Sequence, residues 1–418
     1  MLERKNAPNV QEIEKINFIS PLKIQLDENT SLFWMKEVQN ETARLDFIFH
    51  AGTTRESNLI SSLVAGLIFS GTDKKTATDI HNELDDLGAF FDVGLGHESV
   101  LVSFYALQKN MLAVFKIFED ALEHVNFRQT EIDELINERK QKLKINYEKV
   151  GFLAQREFQK KLFHGTNYSR QVELEEYDSV KREVIIAYFK KYYQVGLRKI
   201  ILVGALEENH VSEITKRSKK WCISEPPIFE SNFKNSKGFF PIEKKGAVQS
   251  AVRIGKTLFN KNHPDFLGFS ILNTILGDYF GSRLMKNIRE DKGFTYGISS
   301  TEAELAKSGY FMIGAEVGSA QKELAIHEIK YEIERLQKDL VPNEELELVR
   351  NYLLGQILKS ADGPYAMNDL FQSVEAYELD LSFYERYIEK IKTIEAEELR
   401  ELAVKYLAWD SMTIVIAG

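Results

Sequence analysis

Cysteine occurs once in 418 residues, at Cys222, which excludes an intrachain disulfide framework and any multi-cysteine zinc site within the chain. A basic block is also missing. The formal charge is −9, from 63 acidic and 54 basic side chains, so nucleic acid and anionic lipid, which need clustered Lys and Arg, are excluded as main partners. No run approaches the roughly 20 apolar residues that span a bilayer. The opening MLERKNAPNVQEIEKINFIS carries charges throughout and no apolar signal core, so a cytoplasmic protein without membrane contact is expected. The eight histidines are scattered, and none stands three or four residues from another, as a helical metal pair requires. His97-Glu98 opens like H-E-x-x-H, but Leu101 fills the second histidine position, and Val100, Val102 and Phe104 alternate as in a strand. His50, ending an apolar strand, reads as structural, and a metal site assembled from distant residues such as His81 and His97 is disfavoured.

What is present describes a folded chain: 44% hydrophobic and 28% charged residues with only 8 prolines, long enough for two or three domains. A weak duplication runs through it. Lys191-Tyr192 leads into the apolar strand Ile200 to Gly204, as Lys405-Tyr406 leads into Thr413 to Gly418. The helix stopped by Leu87-Gly88 precedes an extended Phe90 to Val93, as the helix around Ile288, stopped by Gly293, precedes Phe294 to Gly297. Strand Val100 to Leu107 precedes a helix from Met111 to Val125, as Tyr310 to Val317 precedes a helix from Lys322 to Leu336. Between the halves, Pro226-Pro227 and the polar Ser231 to Gly238 read as a connection. The expected organisation is a first domain over 1–215, a linker over 216–245 and a second domain over 246–418. Short strands (Leu22 to Leu26, Ser31 to Glu37, Arg44 to His50) mixed with amphipathic helices, without strict alternation, give an α+β fold in duplicate.

Two places carry candidate chemistry. In the helix from Leu59 to Ser70, Leu59, Leu63 and Leu67 with Ile60, Val64 and Ile68 form a buried stripe. Ser62, Ala65 and Gly66 then make one compact patch of small residues without a metal ligand. Read by pattern alone, this is a packing face, and Gly66 inside a helix marks a tolerated position or a close approach. In the second half, Arg289 falls in the last turn of a helix that Gly293 ends in a left-handed conformation. Tyr296 follows in an extended stretch, with Phe294, Tyr296 and Ile298 on one side. A cation ending a helix and a phenol opening a strand can converge on one acceptor. They can equally serve a helix dipole and a packed sheet.

Arg55-Glu56, the helix running into Phe69-Ser70-Gly71-Thr72, the Leu87-Gly88 stop and the duplicated halves resemble the insulinase and pitrilysin-type metallopeptidases. The likeness is greatest to the smaller bacterial and mitochondrial-processing-peptidase-like subunits. It implies two homologous α/β sandwich domains forming a clam-like shell. In active members H-x-x-E-H supplies two zinc ligands and the water-activating glutamate. The corresponding positions here are Ser62, Ala65 and Gly66, so all three groups are absent. The helix that brings the third ligand looks like the one opening at Glu138-Arg139, and the turns after it hold no carboxylate. The family's Arg and Tyr, seven positions apart, match Arg289 and Tyr296. The glycine-rich run before them is interrupted here as Gly277-Asp278-Tyr279-Phe280-Gly281. The resemblance therefore implies a chain without a metal of its own, pairing with a homologous zinc-bearing subunit. Arg289 and Tyr296 would serve a peptide carbonyl and its oxyanion in trans. The competing reading is a pseudoenzyme that binds peptides or scaffolds a complex; a self-sufficient zinc hydrolase is opposed by the missing ligands.

Overall fold

The computed structural model describes residues 16–36, 40–225, 228–231 and 233–418. Most of the charged N-terminal stretch, Glu37 at the end of one expected strand, and Pro226-Pro227 lie outside the described residues. The first half contains β1 (Leu22–Gln25), β2 (Ser31–Met35), β3 (Thr42–Phe49), α1 (Asn58–Leu67), α2 (Ala77–Asp86), β4 (Phe90–Leu95) and β5 (Val100–Leu107). It continues with α3 (Met111–His124), α4 (Gln129–Asn146), α5 (Val150–Leu162), α6 (Arg182–Tyr192), β6 (Leu197–Val203) and α7 (Glu208–Ser218). The second half contains β7 (Gly238–Ile242), β8 (Gln249–Leu258), α8 (Phe266–Leu276), a π-helical turn over Met285–Asp291, β9 (Thr295–Leu305) and β10 (Ser308–Gly318). It closes with α9 (Lys322–Lys338), α10 (Asn343–Ser360), α11 (Pro364–Glu375), α12 (Ser382–Thr393), α13 (Ala396–Tyr406) and β11 (Thr413–Ala417).

The strands form two separate sheets, ordered β1-β2-β6-β3-β5-β4 and β7-β11-β8-β10-β9. With β1 set aside, the orders superimpose strand for strand. The parallel strand pairs, β2 with β6 and β7 with β11, fall at the same place in each. The duplication read from three landmarks thus extends to the hydrogen-bonding topology. Side-chain alternation explains why each sheet needs cover on both faces. Along β3, Ala43, Leu45, Phe47 and Phe49 enter one core with Phe104, Phe115 and Phe118. Arg44, Asp46 and Ile48 point to the opposite face. Helix α3 completes the first core with Met111, Val114, Phe115, Phe118 and Leu122, all buried at three- and four-residue spacing.

The opposite faces are covered by an exchange of helices between the halves. Helix α5, from the first half, lays Ala154, Phe158 and Leu162 on Ala251, Val415 and Ala417 of the second sheet. Helix α11, from the second half, lays Phe371 and Val374 on Phe33, Met35, Ile201 and Val203 of the first. A buried polar network pins the second contact. Asp46 is fully buried and accepts from Arg44 Nε at 2.9 Å, from Asn368 Nδ2 at 3.2 Å and from Gln372 Nε2 at 2.6 Å. Arg44 Nη1 donates to Asp369 at 2.7 Å. Burial alone would pull the Arg44 pKa down, but Asp46 and Asp369 outweigh it and raise it.

Several expectations shift by one to three residues. The helix expected from Leu59 to Ser70 ends at Leu67, because Gly71 at φ +122° turns the chain. Gly293 is left-handed as expected, at φ +65°, but the turn before it is π-helical. Phe294, Tyr296 and Ile298 do not share a side. The β9/β10 register slips between Ala315 and Val317, so Tyr296 and Gly297 oppose Glu316 alone in a bulge that breaks the alternation.

Two outcomes are expected. Asp46→Ala leaves Arg44 buried with one carboxylate and orphans two amides, so urea unfolding should register a loss of about 3–5 kcal/mol. On β9, Glu302 is half-buried with its Oε2 buried and unpartnered, and burial pushes its carboxyl up to about 8. A carboxyl raised in the folded state binds its proton more tightly there than in the unfolded chain. Stability therefore falls as pH rises from the ordinary carboxyl range toward 8. Glu302→Gln should flatten that fall and be more stable than wild type at pH 9, measured by denaturant melts across pH.

Candidate functional site

The small-residue patch of α1 assembles as expected. Ser57 caps the helix through the Ile60 N–H at 3.3 Å, and buried Ser61 donates to Ala51 O at 2.8 Å, which fixes the helix rotation. Leu59, Ile60, Leu63, Val64 and Leu67 are buried, leaving Ser62, Ala65 and Gly66 along a cleft of about 650 Å³. Helix α4 forms its other wall with Glu131, Glu134, Leu135, Glu138 and Arg139, while His81 of α2 and Asp92 of β4 close one end. Gly66 is explained by close approach: a Cβ there would lie 3.0 Å from Leu135 Cδ2 and 3.7 Å from Arg139 Nη2. A turn further along, Leu143 packs on Leu59, Leu63 and Tyr177.

Zinc does not fit these residues. The three motif positions offer a hydroxyl, a methyl and a hydrogen, and no group of three His, Cys, Asp or Glu able to hold a metal exists among the described residues. Arg139 adds a permanent cation, with its Nε buried and unpartnered, where its charge opposes a metal ion. Glu138-Arg139, expected to open a helix, lies inside α4 (Gln129–Asn146), and only the packing of α4 on α1 brings Arg139 to the cleft. His97 lies in the turn before β5, its carbonyl accepting from the Thr54 N–H and hydroxyl. Glu98 accepts from Tyr168 OH at 2.6 Å and Ala306 N at 3.0 Å. Glu98 thus ties the two halves together, and the pair does not form a metal motif.

Arg289 and Tyr296 stand at one end of the second half, tied together by the Phe294 N–H donating to Ile288 O at 3.0 Å. Arg289 is half-buried and makes no ion pair or hydrogen bond among the described residues; its guanidinium lies 4.7 Å from the Phe280 ring centroid. The interrupted glycine run produces that contact. Tyr279 turns inward onto Tyr352, with ring centroids 4.9 Å apart, over Gly281, where a Cβ would meet the Tyr279 ring at 2.7 Å. Phe280 is thereby left outside, 64% exposed. Tyr296 is 93% exposed. Thr295 Oγ1 braces the bulge by donating to Glu316 O at 2.6 Å and accepting the Gly297 N–H at 3.1 Å. A cation and a phenol are thus presented with no partner carboxylate. His50, by contrast, is buried against Phe229 at 5.5 Å. Burial, then Arg55 and Arg198, push its pKa down to about 3, so it is neutral.

Comparison with known proteins matches these features to one family. The profile described as "Insulinase (Peptidase family M16)" matches residues 34–175, and the one described as "Peptidase M16 inactive domain" matches residues 179–353. Among curated relatives, the uncharacterized zinc protease YmxG of Bacillus subtilis is 22% identical over 318 residues, covering 74% of this chain and 76% of that protein. The beta subunit of the mitochondrial-processing peptidase of Rattus norvegicus is 20% identical over 387 residues, covering 87% and 77%. The non-peptidase homolog YmxG of Helicobacter pylori is 19% identical over 370 residues, covering 86% and 84%. A crystal structure of a peptidase M16 inactive domain from Pseudomonas fluorescens superposes with a TM-score of 0.87 at 22% identity, over 95% of this chain and 98% of that one. It shares the two-domain clam-shell fold. Both halves of the sequence and the whole of the fold therefore agree that the chain belongs to the insulinase family, peptidase family M16.

Proposed function

We propose that this chain is a non-catalytic M16 subunit that completes a zinc peptidase in trans, bringing Arg289 and Tyr296 to a peptide held at the metal of a homologous partner. The observation that carries this reading is the pair itself. Arg289 is unspent on any carboxylate among the described residues, and a braced bulge turns Tyr296 almost wholly into solvent. A guanidinium donates from a fixed fork and a phenol adds one donor without a second charge. Together they suit the oxygen of a peptide carbonyl as it gains negative charge next to a metal. The partner would supply the zinc and activate water; this chain would bind and orient the substrate. The relative described as a subunit of a processing peptidase supports assembly with a homologue.

A second reading is a pseudoenzyme that binds peptides or scaffolds a complex without contributing to turnover. The relative described as a non-peptidase homolog favours it, as does the resting of the Arg289 guanidinium on Phe280. The two readings separate on one experiment. Arg289→Ala and Tyr296→Phe chains, mixed with the zinc-bearing partner, should assemble normally and cleave peptide roughly a hundredfold more slowly, a loss of about 3 kcal/mol per donor. Wild-type cleavage by both variants would leave only the scaffold reading.

A companion prediction concerns the first half. The triple variant Ser62→His, Ala65→Glu, Gly66→His should still bind far less than one zinc per chain by elemental analysis after dialysis. The side chain at 66 meets Leu135 and Arg139, and the third ligand and its supporting shell are missing. Tight stoichiometric zinc in that variant, or in the wild type, would refute the assignment of a metal-free half.

A further inference from the structure

We propose that the junction between the two halves holds a binding site for a small tetrahedral oxyanion, phosphate in free or monoester form, centred on Arg198. The site is a polar cavity of about 310 Å³ bordered by β1, β2 and β6 of the first half and by the β9–β10 turn and the end of α11 of the second. Arg198 enters it through a register slip. Ile48 pairs with Lys199 and Phe49 with Leu197, so Arg198 is the extra residue of a bulge and leaves the alternation of β6. Its guanidinium stacks on Phe229, 5.3 Å from the ring centroid. Among the described residues it makes no hydrogen bond and no ion pair. Arg55 approaches the same ring at 5.7 Å, so two guanidinium groups share one aromatic platform.

The local charges do not balance. Lys199 is paired with Glu375, and Glu98 is held by Tyr168 and the Ala306 N–H. The cavity is lined by four cations, Lys23, Arg198, Lys199 and Lys307, and three carboxylates, Glu28, Glu375 and Glu378. At the exposed rim Lys23 and Lys307 are countered in sign by Glu28 and Glu378, where water screens all four. Arg198, which cannot lose its proton, has no ion pair of its own in this lining; Glu375, Glu98 and Glu378 act on it only from beyond hydrogen-bond distance. Neighbouring groups respond to it. Burial lowers the Lys199 ammonium, with Arg198 adding to the fall, and burial together with Arg55 and Arg198 keeps His50 neutral.

The unused fork of an arginine is matched by two oxygens of a phosphate, and Lys23 on β1 and Lys307 on the β9–β10 turn add ammonium donors to the same lining. A tetrahedral anion can meet donors so arranged, whereas a planar carboxylate offers two oxygens on one side. Because the cavity draws residues from both halves, an anion bound there would bridge them and stabilise the folded chain.

The test uses the purified full-length chain with inorganic phosphate, phenyl phosphate, acetate and chloride at matched ionic strength, read by thermal unfolding and titration calorimetry. Phosphate should give saturable heat and a rise in Tm of a few degrees that chloride and acetate do not reproduce. Arg198→Met should weaken phosphate binding at least tenfold. Arg198→Lys, which keeps the charge and loses the fork, should fall between, with far-UV circular dichroism confirming that both variants fold. Phenyl phosphate binding as tightly as phosphate identifies a monoester as the natural form; binding by phosphate alone identifies the free anion. Equal effects of phosphate and acetate, no saturable binding, or undiminished binding by Arg198→Met would each overturn the proposal.

Discussion

The structure depends on the exchange of one helix between its two halves. A sheet buried on both faces needs cover twice, and each half supplies its own helices on one side only. Helix α11 closes the first sheet and α5 closes the second, so neither sheet is fully covered without residues of the other half. Asp46 makes the first contact specific. Buried without exposure, it must find its donors in Arg44, Asn368 and Gln372, two of them on the visiting helix. An apolar contact would tolerate sliding of α11 along the sheet, whereas a buried carboxylate with three fixed donors does not.

That fastening explains how one topology, used twice, carries different surfaces. In the first half the space beside α1 is taken up by α4, whose Leu135 and Arg139 press on Gly66 and whose Leu143 packs a turn away. The cleft that remains is acidic along one wall, with a guanidinium in place of a metal's charge. In the second half the π-helical turn and the β9 bulge do the opposite and push Arg289, Phe280 and Tyr296 outward. One half packs α4 against the small residues of α1, and the other leaves Phe280 and Tyr296 exposed. The junction between them adds a polar cavity with unbalanced positive charge, built from a second bulge at Arg198.

Much of the fold was legible in the sequence because it rests on periodicity. The buried stripe of α1 appears as read, the helix expected from Met111 and the strand expected from Arg44 lie within two residues of their places, and glycines 88 and 293 stop their helices at φ +62° and +65°. The duplication was visible at three landmarks, and strand order extends it to both sheets. The residues along the α1 cleft, Ser62, Ala65 and Gly66, were equally plain as a patch with no imidazole or carboxylate, because side-chain chemistry is fixed by sequence wherever the helix lies. The side of the strand taken by Tyr296 was misread. Alternation predicts it only in a regular ladder, and a bulge depends on the register of β10, more than ten residues away in the chain.

Local sequence, through side-chain chemistry and nearest-neighbour period, determined the elements, the repeat and the absence of metal ligands. The tertiary structure decided what no local pattern encodes. It sent α5 and α11 to each other's sheets and placed Arg139 over the vacant motif. It also left Arg198 stacked on Phe229 at the junction, with no hydrogen bond or ion pair among the described residues. Each of these turns on contacts between residues distant in sequence, and only the packed chain sets those distances and the burial that gives a charge its cost.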